Sequence, residues 1–340
     1  MTQEYLLKNL QNNPFLLAPM AGITDCSFRS FMREMGCGAV ITELVSANGL
    51  EYSGEKTRQL MRFDDSQHPI GIQIFGERLE LLAKAAKDVE QMGADFVDLN
   101  FGCPVPKVVN KGAGSAVLKD LIQLQKVLRV VKEAVAIPVT IKIRTGWDES
   151  SRNADQVAQV AYDEGITWVA IHGRTRAKGY NGFADWDYIR WVKENAKLPI
   201  IGNGDITTAE VANQRLVESA CDGVMIGRGC LKNPWIFSEA LQLRKEKVSE
   251  KIEKRFMSML SRLQYHLERS AEERVQVLQI KKFSAWFSAG YPESANFRRT
   301  VFQIKEKNQL LETVENYFSN VEVFSQKDTS HEPFLMGGHG

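Results

Sequence analysis

The sequence predicts an α/β fold, a (β/α)8 TIM barrel, followed by a smaller all-helical C-terminal domain. Eight short apolar runs rich in β-branched residues recur in the first 230 of the 340 residues. Helical patterns separate most of these runs, and the strand signals stop after Trp235. Strands that alternate with helices form a parallel sheet, and eight such units in about 230 residues match the size of a closed barrel.

The eight predicted strands are continuously apolar, as is typical of strands that are buried on both faces of a parallel sheet. They cover residues 15–20, 39–46, 70–76, 96–102, 139–144, 168–174, 199–205 and 223–229. Apolar residues at helical spacing predict helices between them. These helices cover residues 78–93, 121–135, 157–165 and 208–219. We expect Thr207 to be the N-cap of the last helix.

An open, doubly wound sheet is the alternative to the barrel. The strand count of eight favours the barrel. In addition, none of the Gly-x-Gly triplets continues into the Gly-x-Gly-x-x-Gly pattern that follows the first strand of a dinucleotide-binding sheet.

The charge distribution separates the two predicted domains. Residues 1–240, the barrel, hold 27 Lys and Arg against 29 Asp and Glu, whereas residues 241–310 hold 15 against 8. The helical domain is predicted over residues 241–325, and a flexible tail over 326–340. A basic domain beside a nearly neutral barrel indicates a polyanionic partner, although a solvated helical face with ion pairs would give the same excess.

The composition argues against several other classes of protein. The five cysteines are scattered without a Cys-x-x-Cys pair, so we expect no disulfide framework and no metal site. The N-terminal segment does not resemble a signal peptide, and no stretch approaches the roughly 20 apolar residues of a membrane span. We therefore expect a cytoplasmic protein without a membrane segment, and a monomer.

Polar side chains stand at the ends of most predicted strands. The carboxyl ends of barrel strands meet at one rim, where such barrels carry their active sites. Glycine-rich ends of the last two strands suit a phosphate, so a planar cofactor with a phosphate tail fits this rim. The rim residues are Gln73, Asn100, Cys103, Lys142, Arg144, His172, Arg174, Arg176, Asn203, Gly204, Asp205, Gly227 and Arg228.

Eight motifs follow one another within residues 15–230: PMAGITD, QIFG, DLNFGCPVPKV, NKGAGSA, IKIRTGWD, HGRTR, GNGDI and IGRG. This ordered set resembles that of the tRNA-dihydrouridine synthases, most nearly the bacterial B-type branch. The helical part matches more weakly, through KKF, Trp286, Gly290 and FRR. Two positions depart from the family pattern: Lys178 replaces a usual Gln, and Phe283 replaces a frequent His.

The resemblance implies FMN at the mouth of the barrel, NADPH or NADH as electron donor, and tRNA as substrate. It assigns FMN to Pro19, Met20, Ala21, Gln73, Lys142, His172, Asn203, Gly204, Asp205, Gly227 and Arg228. It makes Cys103 the catalytic residue. It places Asn100, Arg174 and Arg176 near the substrate, and Arg144 at the same rim is a further substrate candidate. The basic segment adds Lys281, Lys282, Arg298 and Arg299 as candidate tRNA contacts.

The implied reaction explains why a thiol should stand on a strand end. Reduction of uracil adds a hydride from the reduced flavin at C6 and a proton at C5. A thiol with a pKa of about 8.5 is protonated at neutral pH and can donate that proton. A uridine within folded tRNA must also leave its stack, and contacts with the rest of the RNA must offset that cost.

Two other functions remain alternatives. A flavin-dependent dehydrogenase of a free pyrimidine, similar to dihydroorotate dehydrogenase, would use the same cofactor and a strand-end residue. It would not explain the basic helical domain. A non-catalytic RNA-binding protein on a retained barrel would not need Cys103, Lys142 and Gln73. Trp286 could stack on RNA, but its helical spacing with Phe283 and Phe287 favours a place in the core.

Overall fold

A parallel barrel and a group of helices make up the computed structural model, which describes residues 1–52, 54–246 and 255–329. The strands are β1 (Phe15–Leu17), β2 (Val40–Ile41), β3 (Val45–Ser46), β4 (Ile70–Phe75), β5 (Phe96–Phe101), β6 (Val139–Arg144), β7 (Val169–His172), β8 (Ile200–Asn203) and β9 (Gly223–Ile226). The predicted barrel and its eight strand regions are confirmed, because β2 and β3 both pair with β4 and form one stave.

The helices surround the strands and continue beyond them. They are α1 (Gln3–Asn12), α2 (Cys26–Glu34), α3 (Ala47–Tyr52), α4 (Glu55–Gln59), α5 (Leu79–Gln91), α6 (Pro106–Val109), α7 (Leu121–Ala134), α8 (Ala154–Asp163), α9 (Trp186–Asn195), α10 (Ala209–Glu218), α11 (Gly229–Lys232), α12 (Ile236–Glu246), α13 (Phe256–Ser270), α14 (Glu273–Phe287), α15 (Ser294–Gln303) and α16 (Lys307–Val321). None of the helices in the described part of the chain combines the length and apolarity that crossing a membrane requires.

The sheet closes between its first and second strands. The strand order is β1-β9-β8-β7-β6-β5-β4-β2, and all named pairs are parallel. Across the remaining gap, Leu17 N–H donates to Ala39 C=O at 3.0 Å and Gly38 N–H donates to Phe15 C=O at 2.8 Å. These bonds remove both free edges of the sheet.

Successive strand residues face either the barrel interior or the outer helices, so two apolar cores form. The inner core holds Leu16, Ile41, Phe96, Trp168, Ala170, Ile201 and Met225, with Leu6 and Leu10 of α1 closing the amino-terminal end. Gly71 makes room for the Phe96 ring, because a Cβ at Gly71 would lie 2.1 Å from that ring. Apolar side chains therefore fill the lower barrel and leave the carboxyl-terminal mouth to polar residues.

The predicted cap of α10 is wrong by one residue. Thr208, and not Thr207, is the N-cap, and its hydroxyl accepts from Val211 N–H at 3.2 Å. Thr208 has the extended backbone of a capping residue, so the sequence contained two equivalent threonines and only the chain path chose between them.

The helical region packs on one side of the barrel. Phe28 of α2 stacks on Phe283 of α14 with ring centroids 4.7 Å apart, and Phe31 lies 6.3 Å from Phe287. Phe283 is thus buried in the seam between the two regions. Trp286 is also buried, as its helical spacing suggested.

The structure bears on two of the predicted domain boundaries, the one at residue 240 and the one at residue 326. Residue 240 falls inside α12, which packs on α10, so the barrel layer continues to Glu246. The first residues of the predicted tail are docked: Gln326 Nε2 donates to Ala289 C=O at 2.7 Å, and Lys232 Nζ donates to Thr329 Oγ1 at 2.9 Å. The rest of the predicted tail, 330–340, lies outside the described residues.

Candidate active site

Cys103 sits on a tightly held turn that follows β5. The Asn100 Oδ1 accepts from Cys103 N–H at 2.8 Å and from Gly102 N–H at 3.2 Å. On the other side, Ser115 Oγ donates to Cys103 C=O at 2.9 Å. A Cβ at Gly114 would lie 2.9 Å from that carbonyl oxygen, so the glycine of the NKGAGSA motif lets this segment approach. The motif therefore supports the thiol-bearing turn.

The Cys103 thiol is half-buried, whereas Cys37, Cys221 and Cys230 are buried. Burial raises the pKa of the Cys103 thiol above its ordinary value, while a hydrogen bond from the Val105 backbone and the charge of Arg144 act in the opposite direction. A raised pKa keeps the sulfur protonated at neutral pH. Cys103 thus has the protonation state of a general acid.

A chain of hydrogen bonds runs from this turn into the barrel. Asn100 Nδ2 donates to Gln73 Oε1 at 2.8 Å, and Gln73 Nε2 donates to Asp98 Oδ2 at 2.7 Å. Thr140 Oγ1 donates to the other carboxylate oxygen of Asp98 at 2.6 Å. Burial raises the pKa of Asp98 to about 6. This role of Asp98 was not predicted from the sequence, although a carboxylate inside an apolar strand is a visible signal.

Lys142 lies beside this chain, because Asn100 and Lys142 are register partners in β5 and β6. Burial and the nearby Arg144 lower the pKa of Lys142 to about 8, and Asp98 partly opposes them. Within the described chain its ammonium makes no hydrogen bond to another residue. Lys142 therefore offers an ordered cation to a group at the mouth.

His172 is a neutral residue surrounded by cations. Burial, with the charges of Arg144, Lys142, Arg174 and Arg228, holds the pKa of His172 well below its ordinary value. Arg174 Nη1 lies 3.4 Å from His172 Nε2, and since a guanidinium only donates, this nitrogen must accept. His172 can then offer an N–H only from Nδ1.

The two buried arginines at the mouth are largely used by the protein itself. Arg174 is 2% exposed and pairs with Asp205 Oδ2 at 2.9 Å. Arg144 is 3% exposed and donates to the carbonyl oxygens of Gly102 at 2.9 Å and Thr175 at 3.1 Å. Arg144 thereby ties the Cys103 turn to the loop that follows β7.

The ends of β8 and β9 carry backbone donors. Asn203 Nδ2 donates to Met225 C=O at 2.8 Å, which holds the two strand ends together. Gly204 has a φ of +132°, and a Cβ there would lie 2.5 Å from the Ala184 Cβ. Within the described residues the N–H groups of Gly204 and Gly227 have no hydrogen-bond acceptor. These donors, with Arg228, suit the phosphate of a cofactor.

Aromatic residues cover the cations of the rim. Tyr180, 46% exposed, has the Arg228 guanidinium 4.5 Å and the Arg144 guanidinium 5.9 Å from its ring centroid. Arg176 lies 4.4 Å from the ring of Trp147. Lys178 lines an open cavity of about 580 Å³ at this rim, together with Asp148, Glu149, Ser150, Thr175 and Ala177. Tyr180 and Trp147 were not predicted as site residues from the sequence.

The loop after β1 reaches the same mouth. A Cβ at Gly227 would lie 3.6 Å from the Met20 sulfur. Pro19 and Met20 are half-buried and Ala21 is exposed. The structure thus brings the β1 loop beside the predicted phosphate position.

The four predicted tRNA contacts of the helical region have different surroundings. Lys281 Nζ donates to Ile304 C=O, and Lys282 Nζ donates to Gly22 C=O at 2.7 Å. Arg298 is half-buried and Arg299 is exposed. Of these four residues, the two lysines are bonded to backbone carbonyl groups, and Arg299 is the one whose side chain is exposed to solvent.

Comparison with known proteins identifies the family. The family model described as dihydrouridine synthase (Dus) matches residues 16–322. The chain is 38% identical over 312 residues to a Rickettsia conorii protein named "Probable tRNA-dihydrouridine synthase", covering 90% of this chain and 93% of that protein. The chain belongs to the dihydrouridine synthase family.

Further relatives place this dihydrouridine synthase family member near the B-type branch. It is 36% identical over 320 residues to "tRNA-dihydrouridine synthase B" of Pseudomonas syringae pv. tomato, covering 91% of this chain and 92% of the relative. As a member of this family it is an oxidoreductase.

A solved structure shares the barrel fold. Histamine dehydrogenase from Rhizobium sp. 4-9 superposes with a TM-score of 0.52 at 14% identity, over 68% of this chain and 46% of that one. At this identity the likeness concerns the fold alone.

Proposed function

We propose that this protein is an FMN-dependent tRNA-dihydrouridine synthase, which reduces specific uridines of tRNA to 5,6-dihydrouridine with NADPH or NADH. The observation that carries the proposal is the Cys103 turn. The Cys103 thiol is half-buried and kept protonated, and Asn100 and Ser115 fix the backbone of its turn. Lys142, whose ammonium makes no hydrogen bond within the described chain, lies at the same rim. An acid and a cation at one mouth are what reduction of a conjugated carbonyl compound requires.

The donors of the mouth fit FMN. Lys142 and the N–H groups of Gly204 and Gly227 have no protein acceptor within the described chain. Lys142 lies in β6, and the two glycines directly follow β8 and β9. We assign the ring to Pro19, Met20, Ala21, Gln73, Lys142 and His172, and the ribityl phosphate to Asn203, Gly204, Asp205, Gly227 and Arg228. Held there in its reduced form, FMN would supply a hydride for C6 of the uracil ring.

Cys103 supplies the proton that C5 receives. The S–H bond breaks as the C5–H bond forms, and the half-exposed thiolate regains its proton from solvent. Negative charge develops toward O4 of the base during this step. Arg174 is already neutralised by Asp205, so Lys142 is the cation that stabilises this charge.

Asn100 has a double use in this proposal. Its Oδ1 holds the Cys103 turn and its Nδ2 donates to Gln73, so the side chain is fixed before the base arrives. Arg144, assigned to the substrate side, likewise acts through the two loops that it joins. Both residues position the mouth for the uracil ring.

We assign tRNA binding to the helical region and the barrel rim. The predicted boundary at residue 240 falls inside α12, so we propose that the catalytic domain includes α12 to Glu246. Arg298 and Arg299, with Arg176 of the rim, would contact the phosphates of the RNA. We place the enzyme in the cytoplasm and propose that it acts as a monomer.

Nucleoside mass spectrometry of tRNA tests the proposal. A deletion strain should lack dihydrouridine at one or more positions, and the wild-type gene should restore it. Cys103→Ala should not restore it, although that variant should still bind FMN and tRNA. Purified enzyme with reduced FMN should act on an unmodified tRNA transcript. Activity on a free pyrimidine without RNA would instead establish the dehydrogenase alternative.

A further inference from the structure

The backbone of Gly22, in the loop after β1, is held on both sides by charged side chains. Gly22 N–H donates to the carboxylate of Glu43, and Gly22 C=O accepts from Lys282 Nζ at 2.7 Å. Glu43 lies between β2 and β3 of the barrel, whereas Lys282 lies on α14 of the helical region. Both the barrel and the helical region therefore hold this loop through hydrogen bonds.

Side-chain packing does not fix the backbone of Gly22. Gly22 has a φ of +72°, and a Cβ built there would meet no atom within 4 Å. Gly22 is exposed. Its left-handed backbone is accessible to glycine without strain, but so are other conformations. Met20 C=O also accepts from Ile23 N–H at 3.1 Å and from Thr24 N–H at 3.0 Å, so the turn itself holds the two sides of Gly22. The contacts with Glu43 and Lys282 add to that turn and hold its exposed tip.

Neighbouring contacts fix the position of Lys282 on α14. One turn before Lys282, Gln279 Nε2 donates to Asp25 Oδ2 at 2.6 Å. Asp25 also caps α2 through Phe28 N–H at 2.9 Å, and the Phe28 ring stacks on Phe283. The ammonium of Lys282 is therefore held above the loop by the buried seam.

The charges around this contact make it costly to break. Lys282 and Glu43 are both half-buried, and burial lowers the pKa of Lys282 and raises that of Glu43. Asp25 and Glu43 attract Lys282, while Asp25 repels Glu43. A partly buried cation that loses its carbonyl acceptor remains under-solvated, so Lys282 stays at Gly22.

We propose that Lys282 is a positioning residue that, with Glu43, holds the β1 loop in the conformation that receives FMN. The inference rests on the proposed function, because it takes FMN as the group at the mouth. Met20, two residues before Gly22, lies beside Gly227 at the phosphate position. A loop ordered in advance loses less conformational entropy when it binds a ligand, so the helical region raises FMN affinity without touching FMN.

This role differs from the phosphate contact expected from the sequence. A Lys282 that binds tRNA phosphate would change tRNA affinity and its salt dependence, and it would leave FMN affinity unchanged. A Lys282 that holds the loop changes FMN affinity in the absence of RNA. Measuring both affinities therefore separates the two roles.

The experiment is FMN titration of the apoprotein, followed by quenching of flavin fluorescence, with no tRNA present. Lys282→Met should raise the FMN Kd about tenfold, and Glu43→Ala should do the same. Glu43→Gln keeps an acceptor for Gly22 N–H and should stay within about threefold of wild type. Arg274→Met removes a charge from the exposed face of the same helix and should leave the FMN Kd unchanged.

A double variant and a second assay complete the test. Because Lys282 and Glu43 hold the same residue, Gly22, Lys282→Met with Glu43→Ala should raise the FMN Kd by less than the product of the single effects. Filter binding should find the tRNA affinity of Lys282→Met within about twofold of wild type. If Lys282→Met does not fold, the Glu43 pair decides the outcome.

The possible failures are distinct. A wild-type chain that takes up no FMN overturns the proposed function and this inference with it. A wild-type chain that binds FMN, with Lys282→Met or Glu43→Ala of equal FMN affinity, overturns the inference alone.

Discussion

The mouth of the barrel and the helical region both concentrate cations, but they use them differently. At the mouth, Arg144 and Arg174 are buried and bonded to carbonyl or carboxylate oxygens. The ammonium of Lys142, by contrast, makes no hydrogen bond to another residue of the described chain. In the helical region Lys281 donates to a carbonyl group, and Arg299 faces solvent. A cluster of Lys and Arg in the sequence therefore includes both residues that stabilise the fold and residues that are free to bind a ligand.

Geometry explains why the two regions differ. A residue near the end of a strand in a closed barrel has one of two directions, inward or outward, and its register partners are its neighbours. Side chains on a helix are spread around the whole axis, so their partners depend on which face packs. The local sequence therefore predicts the surroundings of a side chain better at the barrel mouth than on the surface of the helical region.

Removing a buried cation of the mouth tests the structural side of this contrast most strongly. Arg174→Met removes the cation that pairs with Asp205, although Ala184 N–H still donates to that carboxylate at 2.7 Å. It also removes the donor to the Asn181 and Gly182 carbonyl groups, so we expect a loss of about 3 kcal/mol in unfolding free energy. Arg299→Met should change the unfolding free energy by less than about 0.5 kcal/mol. Urea unfolding followed by circular dichroism measures both, and equal midpoints would remove the distinction.

The charge of Lys142 at the mouth, and with it the FMN affinity, should change with pH. The pKa of Lys142 is lowered to about 8, so the cation is present at pH 7 and is lost as the pH rises through 8. The FMN affinity of the apoprotein should then fall, by up to about tenfold per pH unit. Lys142→Met should bind about tenfold more weakly at pH 7 and without this pH dependence.

Lys142→Arg is the matched control for that titration. Arginine keeps its charge over this pH range, so its FMN affinity should stay level from pH 7 to 9. The same decline in wild type and in the arginine variant would assign the titration to another group.

The buried carboxylate under the mouth gives a smaller effect on stability. The folded-state pKa of Asp98 is raised to about 6, above its unfolded value, so the folded state holds this proton more tightly. Its contribution to stability is present below pH 4 and is lost as the pH rises through about 6. The difference in urea midpoint between wild type and Asp98→Asn should therefore change over this range.

Asn is a close substitute at this position, because its oxygen can accept from Gln73 while its amide donates to the Thr140 hydroxyl. A parallel pH profile of the two proteins between pH 4 and 7 would show that Asp98 does not titrate there.

The smallest expected effect concerns the solvent-facing cations. Arg299→Ala should weaken tRNA binding about twofold to threefold and reduce the slope of log affinity against log salt by about one. Lys281→Met should instead lower the unfolding free energy by about 1 kcal/mol and leave the salt slope unchanged, since its ammonium bonds to Ile304. Filter binding at several salt concentrations separates the two, and a changed slope for Lys281→Met would place it at the RNA.

By itself the sequence determined the barrel and the set of side chains at its mouth. Continuous apolar strands, helical spacing between them and polar strand ends are local patterns, and closure of a parallel sheet leaves those ends only one common rim. Gln73, Asn100, Lys142 and His172 accordingly lie on β4 to β7 at that rim. Even Asp98 left a local signal.

Only the tertiary structure decided which polar groups pair with each other. The contact of Lys282 with Gly22 joins residues 260 positions apart, and the docking of Thr329 on Lys232 joins residues 97 apart. Such pairs depend on how two packed regions meet, and no period in the sequence records them. Burial then sets the charge of each group, because desolvation depends on neighbours that only folding supplies.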